Sequence, residues 1–146
     1  MLTSLKQFYL SSLMVFLLSA ANSFSQDGNI MHIQTFDFQM PEDGSWSEFD
    51  SLTALINKNV VSKNDKILSQ RIVRHLWGND SRQLIMIREY AKIEDLVSDD
   101  DTGGELFRAA WKTPEERKAF NDAFNKYFRG SRHSDEIYQE FTGARK

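Results

Sequence analysis

Apolar and polar residues alternate from Ile30 to Met40 (IMHIQTFDFQM). Ile30, His32, Phe36, Phe38 and Met40 share one parity, and Met31, Ile33, Thr35, Asp37 and Gln39 the other, which is the period of a strand. Pro41 closes it, and Gly44 marks a loop. The period then changes. Trp46, Phe49, Leu52, Ile56 and Val60 recur at helical spacing behind Ser45-Trp46-Ser47-Glu48, a capping-box pattern that predicts a helix from about Trp46 to about Val61. Lys66 to Tyr90 (KILSQRIVRHLWGNDSRQLIMIREY) reads as two strands joined by a tight turn at Gly78-Asn79-Asp80-Ser81.

Beyond the hairpin, Ala91 to Val97 reads as a short helical turn and Glu105 to Lys112 as a short helix. Between them, Ser98 to Gly104 reads as a solvated acidic loop, because it lacks the alternating ligands and terminal Glu of an EF-hand. Thr113-Pro114-Glu115-Glu116 is the strongest local signal: Thr caps, Pro takes the first helical position, and Glu116 completes the box. Phe120, Ala123, Phe124, Tyr127 and Phe128 follow as an aromatic stripe suited to a core, with Gly130 as the helix stop. Asp135 to Phe141 can form a last strand, and a helix is also open.

This is a βαββαβ order, the plan of a ferredoxin-like α+β antiparallel sheet with helices on one face. A two- or four-residue hairpin loop sets Val73 opposite Met86 and Ile72 opposite Ile87. One face then carries Leu68, Ile72, Leu76, Ile85 and Ile87, suited to lying under helices. The other carries Arg71, Val73, His75 and Trp77 beside Arg82, Leu84, Met86, Arg88 and Tyr90. That face is too apolar for water and too polar for a plain core, so a second subunit is expected to cover it, giving a dimeric α/β barrel.

Here the chain resembles the dimeric α/β-barrel superfamily, which includes cofactor-free monooxygenases of the antibiotic-biosynthesis type and stress-responsive barrel proteins. Element order and the hairpin pattern carry the resemblance over about Ile30 to Phe141. The chain is also similar to small exported bacterial proteins of unassigned role whose tails carry a segment like His133-Ser134-Asp135-Glu136-Ile137-Tyr138. The resemblance implies a homodimer that binds a small organic molecule in the cleft between sheet and helices or inside the barrel, with no bound cofactor. It supplies no catalytic residues. The alternative is a non-catalytic envelope or stress-related protein that meets a partner through the acidic loop.

Composition narrows the setting. Residues 1–25 carry one cation, Lys6, then an apolar run from Phe8 to Ala21, with Ser23 and Ser25 at the −3 and −1 positions of a cut before Gln26. This is the plan of a signal peptide. The run is shorter than the roughly 20 residues that span a bilayer, so export without a stable membrane anchor is expected. Residues 26–146 form a single domain. The whole chain has a formal charge of −3, and its leader is basic, so nothing resembles a nucleic-acid binder. With no cysteine among 146 residues, disulfides and thiolate chemistry are excluded.

In the register above, Arg71 and Arg88 lie opposite each other, a like-charge pair that needs a neutralising partner. With His75 and Tyr90 as hydrogen-bonding groups and Trp77 and Met86 as apolar walls, they make a candidate pocket for an anionic or carbonyl-bearing ligand. The arginines could equally pair with acids such as Asp37 or Glu89. A three-residue loop would reverse the parity and bring Arg71 near Glu89. His133, Asp135 and Tyr138 form a second polar cluster, open to a general acid–base reading and to a turn-capping one. His32, His75 and His133 lie on different elements without metal-ligand spacing, so no metal site is expected. Asn79-Asp80-Ser81 has the form of a glycosylation acceptor, but hairpin turn chemistry explains the same residues.

Overall fold

The computed structural model describes residues 28–78, 82–141 and 143. The leader and the turn residues 79–81 lie outside them. Strand β1 (Ile30–Phe38) is followed by helix α1 (Trp46–Asn59), a 3-10 turn (Val61–Lys63), and the hairpin strands β2 (Ile67–Arg74) and β3 (Gln83–Tyr90). Helices α2 (Ile93–Val97), α3 (Asp99–Ala110) and α4 (Pro114–Asn125) lead to β4 (Phe128–Gln139). The four strands form one antiparallel sheet in the order β2-β3-β1-β4. This is the ferredoxin-like α+β arrangement.

Both caps form. The Ser45 side chain accepts from the Glu48 amide at 3.1 Å, and Thr113 and Glu116 make the full reciprocal box. The first box is half-made for a reason. Glu48 Oε2 accepts from the Tyr127 hydroxyl at 2.7 Å, and that hydroxyl accepts from the Ser45 amide at 3.1 Å. A fully buried tyrosine thus closes the start of α1. It belongs to the core of Phe38, Phe49, Leu84 and Tyr127, ringed by Phe36, Leu52, Ile72, Phe124 and Phe128. The aromatic stripe is core as expected, although only Phe120, Ala123 and Phe124 are on α4. Tyr127 follows the helix and Phe128 opens β4.

Three expectations are corrected. The acidic segment is not a loop: residues 99–104 are the first turns of α3. Three successive Asp residues suit a helix N-terminus, where the dipole favours negative charge, and this outweighs the low propensity of Asp and Gly. Gly130 does not end a helix but lies inside β4, at φ +71°, where the β1–β4 register shifts between Phe36 and Phe38. The last strand therefore starts before Asp135.

The third correction changes the site. Ile72 pairs with Met86 and Val73 with Ile85, one residue away from the expected register. Arg71 faces Ile87, neither Arg88 nor Glu89. A slip of one residue exchanges the faces of one arm relative to the other. Ile72, Leu84, Met86, Arg88 and Tyr90 consequently share the helix-covered side with Phe36 and Phe38. Ile85 and Ile87 turn instead to the opposite side, beside Ile33, Val73 and Arg71.

Candidate functional site: the cleft between sheet and helices

A cavity of about 510 Å³ lies between the β2–β3 hairpin and the helices α1, α3 and α4. Its walls include Ile56, Val60, Ile72, Met86, Phe107 and Phe124. A polar network faces it. Asp99, 5% exposed, accepts from Asn64 Nδ2 at 2.6 Å on one oxygen. Its other oxygen accepts from Arg88 Nη1 at 3.0 Å and from the Tyr90 hydroxyl at 2.8 Å. Arg88 Nε donates to Gln70 Oε1 at 2.7 Å. A buried charge is tolerated only when paired and hydrogen-bonded, and here both conditions are met.

Local sequence explains how Asp99 arrives. Lys66 Nζ reaches from the start of β2 to the Ser98 carbonyl and to Thr102 Oγ1 (3.2 and 2.7 Å), tying the first turn of α3 to the hairpin. Asn64 accepts from the Lys66 amide at 3.1 Å, so one amide side chain fixes the entry to β2 and holds Asp99. Gly103 and Gly104 border the cavity, and a Cβ at Gly103 would meet nothing within 4 Å. The helix leaves space there that a side chain would fill.

Burial, with the Asp99 hydrogen bond, raises the Tyr90 phenol well above its ordinary range, against the opposing charge of Arg88. Tyr90 is thus a locked neutral donor, and Asp99 is occupied by three donors. Within this network, what remains for a ligand is Arg88: its Nη2 has no hydrogen bond among the described residues. The arrangement binds and orients a hydrogen-bond acceptor more readily than it moves protons.

Of the expected pocket residues, Met86 and Arg88 line the cavity and Tyr90 supports it from below. Arg71 is on the opposite face, His75 lies past the end of β2, and Trp77 is 95% exposed at the hairpin tip. These three do not join the others. Asn64, Gln70 and Asp99 are the residues that sequence reasoning missed. The one available signal was the Ser98-Asp99 step ahead of the Leu106/Phe107/Ala110 spacing, which suits a helix start.

A second cavity of about 280 Å³ adjoins the first, sharing Ile72, Met86 and Phe124 and bordered by Phe36, Phe128 and His133. Asp135 stands beside it. One oxygen meets His32 Nε2 at 2.8 Å and Gln34 Nε2 at 2.8 Å; the other meets His133 Nε2 at 3.0 Å. Burial acts to raise the Asp135 carboxyl, but the bonds from Gln34 and His32 and the nearby imidazoles outweigh it and hold the group below its usual range. The His133 ring also packs on Phe36, centroids 5.1 Å apart. Tyr138 does not belong to this cluster. It pairs with Met31 on the other face of the sheet and donates to Glu136. Among the described residues, no group of three or more His, Asp or Glu is placed to hold a metal ion.

No family model matches the chain, and no curated protein matches it. Solved structures do. A candidate antibiotic biosynthesis monooxygenase from Caulobacter crescentus superposes with a TM-score of 0.50 at 14% identity, covering 83% of this chain and 97% of that one. A second such candidate, from Bordetella bronchiseptica, gives 0.49 at 11% identity over 77% and 97%. A Dabb family protein with a ferredoxin-like fold from Mesorhizobium loti gives 0.49 at 13% identity over 77% and 97%. Identity this low speaks for architecture alone. The chain has the ferredoxin-like α+β fold that its sequence resemblance implied.

Proposed function

We propose that this is an exported protein that binds a small organic molecule in the cleft between sheet and helices. The observation that carries the reading is the join of a largely apolar cavity to one preorganised polar corner, Gln70–Arg88–Asp99–Tyr90. Concave, mostly apolar sites with a few fixed polar groups are the usual form of small-molecule pockets. Mass spectrometry of the protein under native and then denaturing conditions tests it. A small molecule should be released from the wild type and be absent from Met86→Trp, whose ring fills the cavity. A wild type that carries nothing, and whose melting temperature no small molecule raises more than that of Met86→Trp, would refute it.

Two copies of the chain are proposed to join through the sheet face opposite the aromatic core. Ile33, Ile85, Ile87 and Val73 share that face, and apolar surface of this kind is ordinarily covered. Sedimentation should show a dimer that Ile87→Asp dissociates. No helix among the described residues is long and apolar enough to cross a membrane. Export itself rests on the leader, and is tested by locating the protein and reading its N-terminus, expected at Gln26.

A second reading is catalytic: cofactor-free, monooxygenase-like chemistry. What favours it is His133 at the edge of the aromatic cavity with Asp135 to orient its imidazole, the arrangement of a general base. Oxygen uptake with the released molecule, abolished in His133→Gln while binding persists, would support it. Binding without turnover in both forms supports the non-catalytic alternative.

A further inference from the structure

Charges around the larger cavity do not cancel. Asp99 and Asp100 border it, against Arg88, Arg108 and Arg117. Asp99 is fully engaged by Arg88, Tyr90 and Asn64. Arg117 gives Nη1 to the backbone carbonyls of Trp111 and Lys112, at 2.8 and 2.9 Å, and meets no carboxylate among the described residues. The Arg108 side chain makes no hydrogen bond or ion pair among the described residues. Asp100, exposed at the other end of α3, offsets one of these two cations, and a positive excess remains.

The two arginines flank the α3–α4 connection, Arg108 in the last turn of α3 and Arg117 in the first half of α4. Most of the remaining wall is apolar, with Ile56, Val60, Ile67 and Ile72 beside Phe107 and Phe124. A cavity greasy along its length and cationic at one rim matches a ligand with an apolar body and a single anionic end. Guanidinium is the donor best fitted to hold such an end, because its fork meets both oxygens of a carboxylate.

We infer that the cleft selects monoanionic amphiphiles, with an acyl carboxylate as the type: its chain lies along the aliphatic wall and its carboxylate is held by Arg108 and Arg117. This rests on the cleft being the ligand site proposed above. Arg108 is the residue that reads the charge, since nothing else in the described structure engages it. Arg117 contributes while also closing the end of α3.

Calorimetric titration of the purified protein with decanoate, below its micellar concentration, and with decanamide separates charge from chain. Decanoate should bind roughly tenfold tighter or better, as charge-assisted hydrogen bonds require. Arg108→Gln should remove most of that preference by weakening decanoate far more than decanamide, while Arg108→Glu should reverse it. Equal binding of the two probes to the wild type would overturn the inference and leave the cavity reading intact. Binding of neither would also overturn the inference, with the cavity reading then decided by the release experiment above. A preference for decanoate that survives in Arg108→Gln and Arg108→Glu would also sink it, because the carboxylate would then be held elsewhere.

Discussion

Two carboxylates on the helix-covered side of this sheet gather a similar number of partners and end in opposite conditions. Asp99 is enclosed, with a cation, a phenol and an amide on its two oxygens. Asp135 has two imidazoles and an amide, yet its side chain is 46% exposed. Between them a polar row crosses the sheet, since His32 of β1 is the cross-strand neighbour of Arg88 on β3. Burial, more than the partner count, decides what each can do. Enclosure makes the Asp99 corner rigid and chemically fixed. Water reaches Asp135 and leaves its carboxylate open to a further partner.

The strongest way to break that contrast is to delete each carboxylate in turn. Asp99→Ala leaves Arg88, Tyr90 and Asn64 without their acceptor, and breaking a buried pair in this way costs about 3–5 kcal/mol. Urea unfolding should show a loss of that order, with Asp99→Asn losing less because its amide oxygen still accepts. A loss below about 1 kcal/mol, the range of exposed pairs, would mean that Asp99 is solvated and the contrast is false.

Alkaline pH sharpens the same point through Tyr90. Its phenol is raised in the folded chain, so the folded state keeps a proton that the unfolded state gives up near pH 10. The stabilisation is complete below about pH 10 and is lost as pH rises beyond it. Unfolding curves measured from pH 9 to 11 should decline in the wild type with a slope that Tyr90→Phe lessens, the raised phenols of Tyr127 and Tyr138 keeping the rest. An equal slope in both would place the titration on other groups.

How far this was legible in the sequence follows from which forces are local. The strand at Ile30, both capping boxes and the aromatic stripe are set by spacing of a few residues, and the βαββαβ order follows from them. The hairpin register was not legible. It depends on the parity of the connection between Arg74 and Leu84, and one residue more or less exchanges the faces. That single slip put Arg71 into the expected pocket and, with the acidic run read as loop, kept Asp99 out. Asp135 is singled out there with one right partner, His133, and one wrong one. Tyr138 is three residues along the chain, whereas His32 comes from a strand about a hundred residues earlier, and only the β1–β4 pairing brings it near.

Gly103 gives a smaller test, on the packing side of the comparison. In a helix interior, Ala is favoured over Gly by roughly 0.5–1 kcal/mol. A Cβ here meets open space, so Gly103→Ala should stabilise the protein by about that amount. The added methyl borders the cavity, so ligand affinity should stay level or fall. A destabilised Gly103→Ala would show that the first turns of α3 are not the regular helix described.

The smallest effect is expected at Asp135. Its carboxyl sits below the usual range in the folded chain, so the stabilisation it gives is present above the unfolded value of about 3.9 and is lost as pH falls through the folded one. At an exposed site, solvent screening limits this to no more than about 1 kcal/mol. Asp135→Asn should therefore trail the wild type by at most that amount at pH 6, with the gap closing below about pH 3.9. A loss of about 3 kcal/mol or more at pH 6, the range of a broken buried pair, would make Asp135 a second Asp99, a structural charge with nothing left to offer a ligand.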